Sequence, residues 1–277
     1  MKSTVVYPRL TIATSPTAAV GQAGGVLLTE TIRATGLGRA LGEALLAWRK
    51  PTAVHDPGKV ILDLAIALAL GGDALADIAV LRAEPGLYGA VASDPTVSRV
   101  IAALAADAHT ALKAIGGARA AARAAAWALA GQHAPDHGAD AKNPLVIDLD
   151  ATLVTAHSEK EQAAPTFKRG FGFHPLCAFL DHGCAGTGEP LAIMLRPGNA
   201  GSNTAADHIA VIASALAQLP DHHGRRRGSK KILIRTDGAG GTKALIEWLT
   251  AQRLAYSIGF TLPENTPDLL ALIPPKV

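Results

Sequence analysis

Asn143-Pro144-Leu145-Val146-Ile147-Asp148-Leu149-Asp150-Ala151-Thr152-Leu153-Val154 is the stretch on which the fold class turns. The run from Leu145 to Asp150 is apolar, rich in β-branched residues and introduced by a proline, the pattern of a buried strand. Side chains alternate across a strand, so Val146, Asp148 and Asp150 share one face and Ile147 and Leu149 the other. Carboxylates beside an apolar strand are costly unless a cation, a basic side chain or solvent meets them. A second run, Lys231-Ile232-Leu233-Ile234-Arg235-Thr236-Asp237-Gly238, ends in the same way. Two strands that each finish in an aspartate are the central feature of the chain.

Working outward, the segment after residue 143 reads as short strands at Leu145–Asp150, Phe173–Asp181 and Pro190–Arg196. A loop, Pro197-Gly198-Asn199-Ala200-Gly201-Ser202-Asn203, leads into a helix over 204–219 with Asn203 as its cap. After a basic loop come the strand ending at Asp237, a helix over 242–252 and a last strand over 255–260. The order β-β-β-α-β-α-β predicts an α/β fold with one mixed sheet covered by helices. The strand after the first crossover can lie parallel to the first strand. Asp150 and Asp237 then meet at neighbouring carboxyl ends, where open α/β sheets place their ligands.

Toward the N-terminus the pattern is helical. Leu28, Ile32, Leu37, Leu41, Leu45 and Trp48 recur at helical spacing, interrupted by Gly36 and Gly38. Val60–Leu70 is a core helix: it holds Asp63 and is too short to span a bilayer. Asp73 is read as the cap of a helix over 74–82, and Ser93-Asp94-Pro95 opens another. An Ala-rich helix follows over 110–129, with a break expected at Gly116-Gly117. The helices at 74–82 and from Thr96 suggest a helix-turn-helix, set against a plain helical packing module. Strands are expected at Thr4–Tyr7 and Leu10–Ala13. A polar linker over 131–142 sets the boundary, giving a helical region over 1–140 and an α/β region over 141–277.

Hydrophobic residues make up 49% of the 277 and charged residues 18%, enough for a sizeable core. A net charge of +3 is compatible with a nucleic-acid partner. The only cysteines, Cys177 and Cys184, complete no zinc pattern and read as reduced thiols of a cytoplasmic protein. No apolar signal segment opens the chain, and no membrane association is expected.

Paired carboxylates of this kind suit Mg²⁺ or Mn²⁺, and in two-metal sites the ions stand about 3.5–4 Å apart. Arg225-Arg226-Arg227-Gly-Ser-Lys230-Lys231 is the densest charge run, either a phosphate-neutralising surface or a solvated loop. Lys168 and Arg169 are further candidates for phosphate contact. His222 and His223 read as loop residues, and His174 as a hydrogen-bonded structural histidine.

Val146–Lys160, Lys168-Arg-Gly-Phe-Gly-Phe-His-Pro-Leu176, Leu195-Arg-Pro-Gly-Asn199 and Ile234-Arg-Thr-Asp-Gly238 together resemble the DDE transposases of bacterial insertion sequences. The resemblance covers most of the chain and is strongest over 143–260. It implies an RNase H-like catalytic core, two divalent metals, cut-and-paste chemistry on the terminal inverted repeats of a transposon, and room for a homodimer. Asp150, in Asp-x-Thr, matches the first family carboxylate and Asp237 the second; Asp148 is the alternative metal ligand for the first. The family's third carboxylate is a Glu on a helix well beyond the second Asp. Glu247 and Glu264 lie too early for it, so the expectation is an incomplete chain that stops before that helix.

Two rivals remain. Asp148-x-Asp150-x-Thr152 also matches the first motif of haloacid-dehalogenase-type phosphatases, with Asp148 as nucleophile and Asp150 as general acid, although Thr236–Thr242 lacks the later acidic motif of that family. The other rival is an inactive DNA-binding remnant.

Overall fold

The computed structural model describes residues 6–9, 24–183, 186, 188–220 and 231–273. The expected strand over 10–13 and the basic residues Arg225, Arg226, Arg227 and Lys230 lie outside the described residues, as do His222, His223 and Cys184. Val6 and Tyr7, from the other expected N-terminal strand, are described and belong to no strand. The chain divides into two compact units, Met1–Gln132 and His133–Val277.

Every regular element described in the first unit is helical: α1 (Gly25–Thr35), α2 (Leu37–Ala44), α3 (Pro57–Ala69), α4 (Ala79–Arg82), α5 (Pro85–Tyr88), α6 (Asp94–Ala105) and α7 (Ala108–Ala130), with short 3₁₀ turns between some of them. Gly36 takes a left-handed φ of 70° and separates α1 from α2, the place where the apolar spacing falters. Helix α3 begins at Pro57, ahead of the expected Val60, because Asp56 accepts from the Gly58 and Lys59 amides and Pro57 occupies the first turn. Val60, Leu62 and Ile66 of α3 pack with Leu41, Ile78, Leu81, Tyr88 and Val97 in the unit's main core.

Two helical expectations are corrected. Asp73 does not cap its segment; the Asp77 carboxylate reaches back to the Asp73 and Ala74 amides at 2.9 and 2.8 Å. Gly116-Gly117 does not break α7, which runs through it. Two glycines cost about 1 kcal/mol each in a helix, and alanine-rich flanks together with the buried anchors Ala111, Ala118 and Ala122 outweigh that. Between the two helices of the suggested helix-turn-helix sits α5, and Arg82 closes the longer path by donating to the Ala92 carbonyl and pairing with Asp94.

The second unit is built on a mixed five-stranded sheet of order β6-β5-β1-β7-β8. Its strands are β1 (Leu145–Ala151), β5 (Leu176–Leu180), β6 (Glu189–Met194), β7 (Ile232–Thr236) and β8 (Ala255–Ile258). β6, β5 and β1 run as an antiparallel meander, while β1, β7 and β8 are parallel. Helix α8 (Ala205–Leu216) connects β6 to the parallel half, and α9 (Lys243–Ala251) connects β7 to β8. A short α10 (Thr266–Ala271) follows. Leu145, Ile147 and Leu149 of β1 are buried with Ile232 and Ile234 of β7, Val211 and Ile212 of α8, and Leu245 and Leu249 of α9. Each such side chain contributes about 1.5–3 kcal/mol of burial free energy.

The sheet is not covered evenly. Its other face carries half-buried Asp148, exposed Arg235, and Phe179 and Ile193, 38% and 69% exposed. Arg235, on β7, ties together Asp148 of β1 and Asp181, the residue after β5. Its Nε and Nη2 donate to the two Asp148 oxygens at 2.5 and 2.7 Å, and Nη2 also donates to Asp181 at 2.8 Å.

The single strand expected over Phe173–Asp181 is two strands. Pro175 has no amide hydrogen to give a ladder, so the chain changes sheets at His174-Pro175. β4 (Phe171–Phe173) joins β2 (Val154–Thr155) and β3 (Ala164–Pro165) in a small sheet of order β2-β4-β3, which the sequence pattern does not announce. The cap of α8 is also shifted: Thr204 holds that position, and the Asn203 side chain instead accepts from Ser202.

Candidate active site

The pairing of β1 with β7 sets Leu149 opposite Thr236. Asp150 comes next on β1, and Asp237 follows directly after the end of β7, at the carboxyl edge of the sheet. Both are exposed and both line one cleft of about 560 Å³. Oδ1 of Asp150 accepts from the Ala151 amide at 2.8 Å, and Oδ1 of Asp237 accepts from the Ala239 amide at 3.0 Å where the Gly238–Gly240 turn begins. Among the described residues no hydrogen bond engages the second oxygen of either. One amide thus orients each carboxylate and leaves it an oxygen for a ligand. Opposite Asp150 on β5 is Cys177; burial and the Asp150 charge both push its thiol up, so it stays a neutral thiol.

The far wall of the cleft is the loop after β6, through Asn199, Ala200, Gly201 and Ser202. Two buried side chains fix this loop by consecutive carbonyls. His174 Nδ1 lies 3.3 Å from the Ala200 oxygen, and Arg196 Nη1 donates to the Gly201 oxygen at 3.2 Å. Arg196 is 4% exposed; it also donates to the His174 carbonyl at 2.9 Å and pairs with Asp207 of α8 at 3.1 Å. Gly198 seats the loop on the small sheet: a Cβ there meets the Ala164 oxygen at 2.2 Å and the Gly172 oxygen at 2.7 Å. Both obstacles are backbone. Gly198→Ala is therefore expected to cost about 1–3 kcal/mol, the range of overpacked sites, seen as a lowered thermal midpoint in circular dichroism. An unchanged midpoint means the loop is free to lift.

The remaining sequence candidates fall in three places. Lys168 lines the cleft, and Arg169 follows it on the same turn. Asp148 does not line the cleft; both of its oxygens are held by Arg235 on the open face of the sheet. Lys231 precedes β7 and passes its carbonyl to the Leu145 amide at 2.7 Å. Neither Glu247 nor Glu264 lines the cleft; Glu247 faces Lys243 at 3.7 Å on α9. Among the described residues no group of three His, Cys, Asp or Glu side chains is placed to hold a metal ion. The sequence reading missed Arg196, Asn199, Ser202 and His208 as parts of the site, although the first two stand in the Leu195–Asn199 motif. What joins them is the fold of the loop, which spacing does not encode.

A mixed α/β protein with two open carboxylates on neighbouring parallel strand ends is the class that fold and site define. Residues 2–271 match the family described as transposase DDE domain, group 1, and the chain belongs to that family. It is a transposase of the insertion-sequence type, and its family generally uses divalent metal ions and acts on DNA. No curated protein matches the chain. The phosphatase alternative draws no support from the match, and its nucleophile, Asp148, is clamped by Arg235. No described helix is long and apolar enough to cross a membrane.

Proposed function

We propose that Asp150 and Asp237 are the first and second carboxylates of the transposase site, and that the five-stranded sheet is its RNase H-like core. One observation carries this reading: the two aspartates end adjacent parallel strands over one cleft, each with an oxygen left open. Asp150 is preferred to Asp148, whose charge Arg235 already neutralises.

The residues fit a divalent cation in part. Two hard oxygen donors suit Mg²⁺ or Mn²⁺, held by Asp150 and Asp237 with water completing the shell. Such an ion supplies charge stabilisation at the phosphoryl oxygens and a more acidic bound water or hydroxyl. The chain's own part is to orient. Ala151 and Ala239 amides aim the carboxylates, the Arg196-braced loop bounds the strand's path, and Lys168 lies where a phosphate passes the cleft mouth.

The DNA is read here as the terminal inverted repeats of the element, bound in the cytoplasm and compatible with a homodimer. Arg225, Arg226, Arg227, Lys230, Lys231 and Arg169 serve as phosphate-neutralising charges. In the helical unit, the exposed Ser98 and Arg99 of α6 are the side chains offered to DNA.

Fluorescence anisotropy with labelled duplexes tests this reading. Replacing Arg225–Arg227, Lys230 and Lys231 by glutamine is expected to weaken binding to repeat and random duplexes alike. The log–log salt slope should fall by about 0.9 for each phosphate that is no longer neutralised. An unchanged slope returns the segment to a solvated loop and removes it from the DNA surface.

A further inference from the structure

Phe167 is 68% exposed at the mouth of the cleft, and nothing in the two-carboxylate reading uses it. It sits on the β3–β4 hairpin tip, which is tightly built. Thr166 and Arg169 close a turn through the Arg169 amide and the Thr166 carbonyl at 3.0 Å. The Thr166 amide reaches the Gly170 oxygen at 2.8 Å, and the Thr166 hydroxyl accepts from the Gly170 amide at 3.0 Å. Arg169 takes a left-handed φ of 63° to complete it. Phe167 and Lys168 therefore occupy the two central positions of a braced turn.

The ring has a fixed neighbour. His174, 4% exposed and tied to the Ala200 carbonyl, lies tilted at 53° with ring centroids 5.5 Å apart. Lys168 Nζ lies 5.7 Å from the centre of the Phe167 ring. An aromatic that meets water over most of its surface, propped from behind by a buried ring and accompanied by a cation, has the makings of a base-stacking platform.

We propose that Phe167 stacks on an unpaired DNA base at the entrance to the Asp150–Asp237 cleft, while Lys168 takes the adjoining phosphate. The occupant is an unpaired nucleotide because a base paired within a duplex keeps both π-faces inside the stack, whereas an unpaired one can turn a face to the protruding ring. Stacking also asks for no particular base, since each has a π-face. Lys168 leaves the ring as the base arrives and keeps its ammonium near the backbone. The inference rests on the DNA-acting reading of the same cleft.

Two labelled DNAs test it: a blunt duplex, and the same duplex with a short 3′ overhang carrying 2-aminopurine. The wild-type chain is expected to bind the overhang DNA more tightly and to change the 2-aminopurine emission. Phe167→Ala should weaken overhang binding about tenfold, within the range for loss of one stacked base, and leave blunt-duplex binding unchanged. Phe167→Tyr should restore both affinity and emission change, whereas Phe167→Leu should not. The ring is exposed, so these variants keep the fold, which circular dichroism verifies. Equal losses on both DNAs, or rescue by leucine, overturn stacking. Tight blunt binding with no gain from the overhang overturns this proposal alone; binding of neither DNA by the wild-type chain overturns it together with the DNA-acting reading of the cleft.

Discussion

Asp150→Ala and Asp237→Ala are each expected to abolish Mn²⁺ binding by the 277-residue chain while leaving its fold and most of its DNA affinity intact. The two carboxylates stand at neighbouring strand ends, each oriented by one amide. Few-ligand oxygen sites hold divalent ions weakly, so the wild-type dissociation constant is expected to be roughly millimolar. Losing either donor leaves a single carboxylate, which retains a hydrated ion little better than surface acids do. Stability should not suffer. Like charges side by side on adjacent strands repel, and truncating one relieves the other by a few tenths of a kcal/mol. The binding is read by titration calorimetry and by the electron paramagnetic resonance signal of free Mn²⁺. Asp148→Asn is the control. Its carboxylate belongs to Arg235, so Mn²⁺ binding should survive it. Loss of binding in Asp148→Asn with retention in Asp150→Ala would transfer the first ligand to Asp148.

The same preparation bears on catalysis. The described residues bring only two carboxylates to the cleft. Two carboxylates would hold a second ion poorly, and that ion is the one that would supply stabilising charge at a leaving oxygen. Nicking of supercoiled plasmid by this chain in Mn²⁺ is accordingly expected to stay near background. Robust nicking, abolished by Asp150→Ala, would mean that Glu247, Glu264 or another group moves in to complete the site.

What could be read from the sequence, and what could not, follows from the range of each signal. Leu145–Asp150 and Ile232–Asp237 announce themselves by apolar runs with terminal aspartates, and their parallel pairing follows from crossover rules that leave few alternatives. The small sheet left no such trace. β2 and β3 have two residues each, too short for any alternation, and β4 was hidden in a longer apolar run until Pro175 is given its weight. The cleft's far wall was half visible. Leu195-Arg-Pro-Gly-Asn199 stood out as a motif, yet the work of Arg196 depends on carbonyls of His174 and Gly201, residues brought to it by the turn of the loop and the switch between sheets. Arg196 Nη2 finds no partner among the described residues, so the guanidinium is held by three of its bonds and not by full saturation. Asp63 was legible as an oddity in an apolar helix; what neutralises it was only half so. Lys59, one turn earlier, is within reach of simple helical spacing, whereas Tyr7 comes from a distant segment.

That buried group leads to the largest stability effect expected in the chain. Asp63 is 1% exposed and Lys59 2%, and Lys59 Nζ donates to both Asp63 oxygens at 2.8 and 2.7 Å. Tyr7 completes the set: its hydroxyl donates to Asp63 Oδ1 at 2.9 Å and its ring lies 4.8 Å from Lys59 Nζ. Burial raises the Asp63 carboxyl and lowers the Lys59 ammonium, while each partner acts against that shift in the other. Removing one partner therefore strands the other. Asp63→Ala is expected to destabilise the helical unit by about 3–5 kcal/mol, the range for breaking a buried pair from one side. Tyr7→Phe, which removes one hydrogen bond, should cost only about 1 kcal/mol. The pair itself contributes little beyond mutual neutralisation. The double variant Lys59→Met with Asp63→Leu replaces it with apolar side chains and should recover most of the loss, a strong positive coupling between sites in contact. Urea denaturation followed by far-UV circular dichroism reads all four proteins. A double variant as unstable as Asp63→Ala would show that the charged pair stabilises the unit outright, through the Tyr7 contact and its anchoring of residues 6–9 against Arg33 of α1.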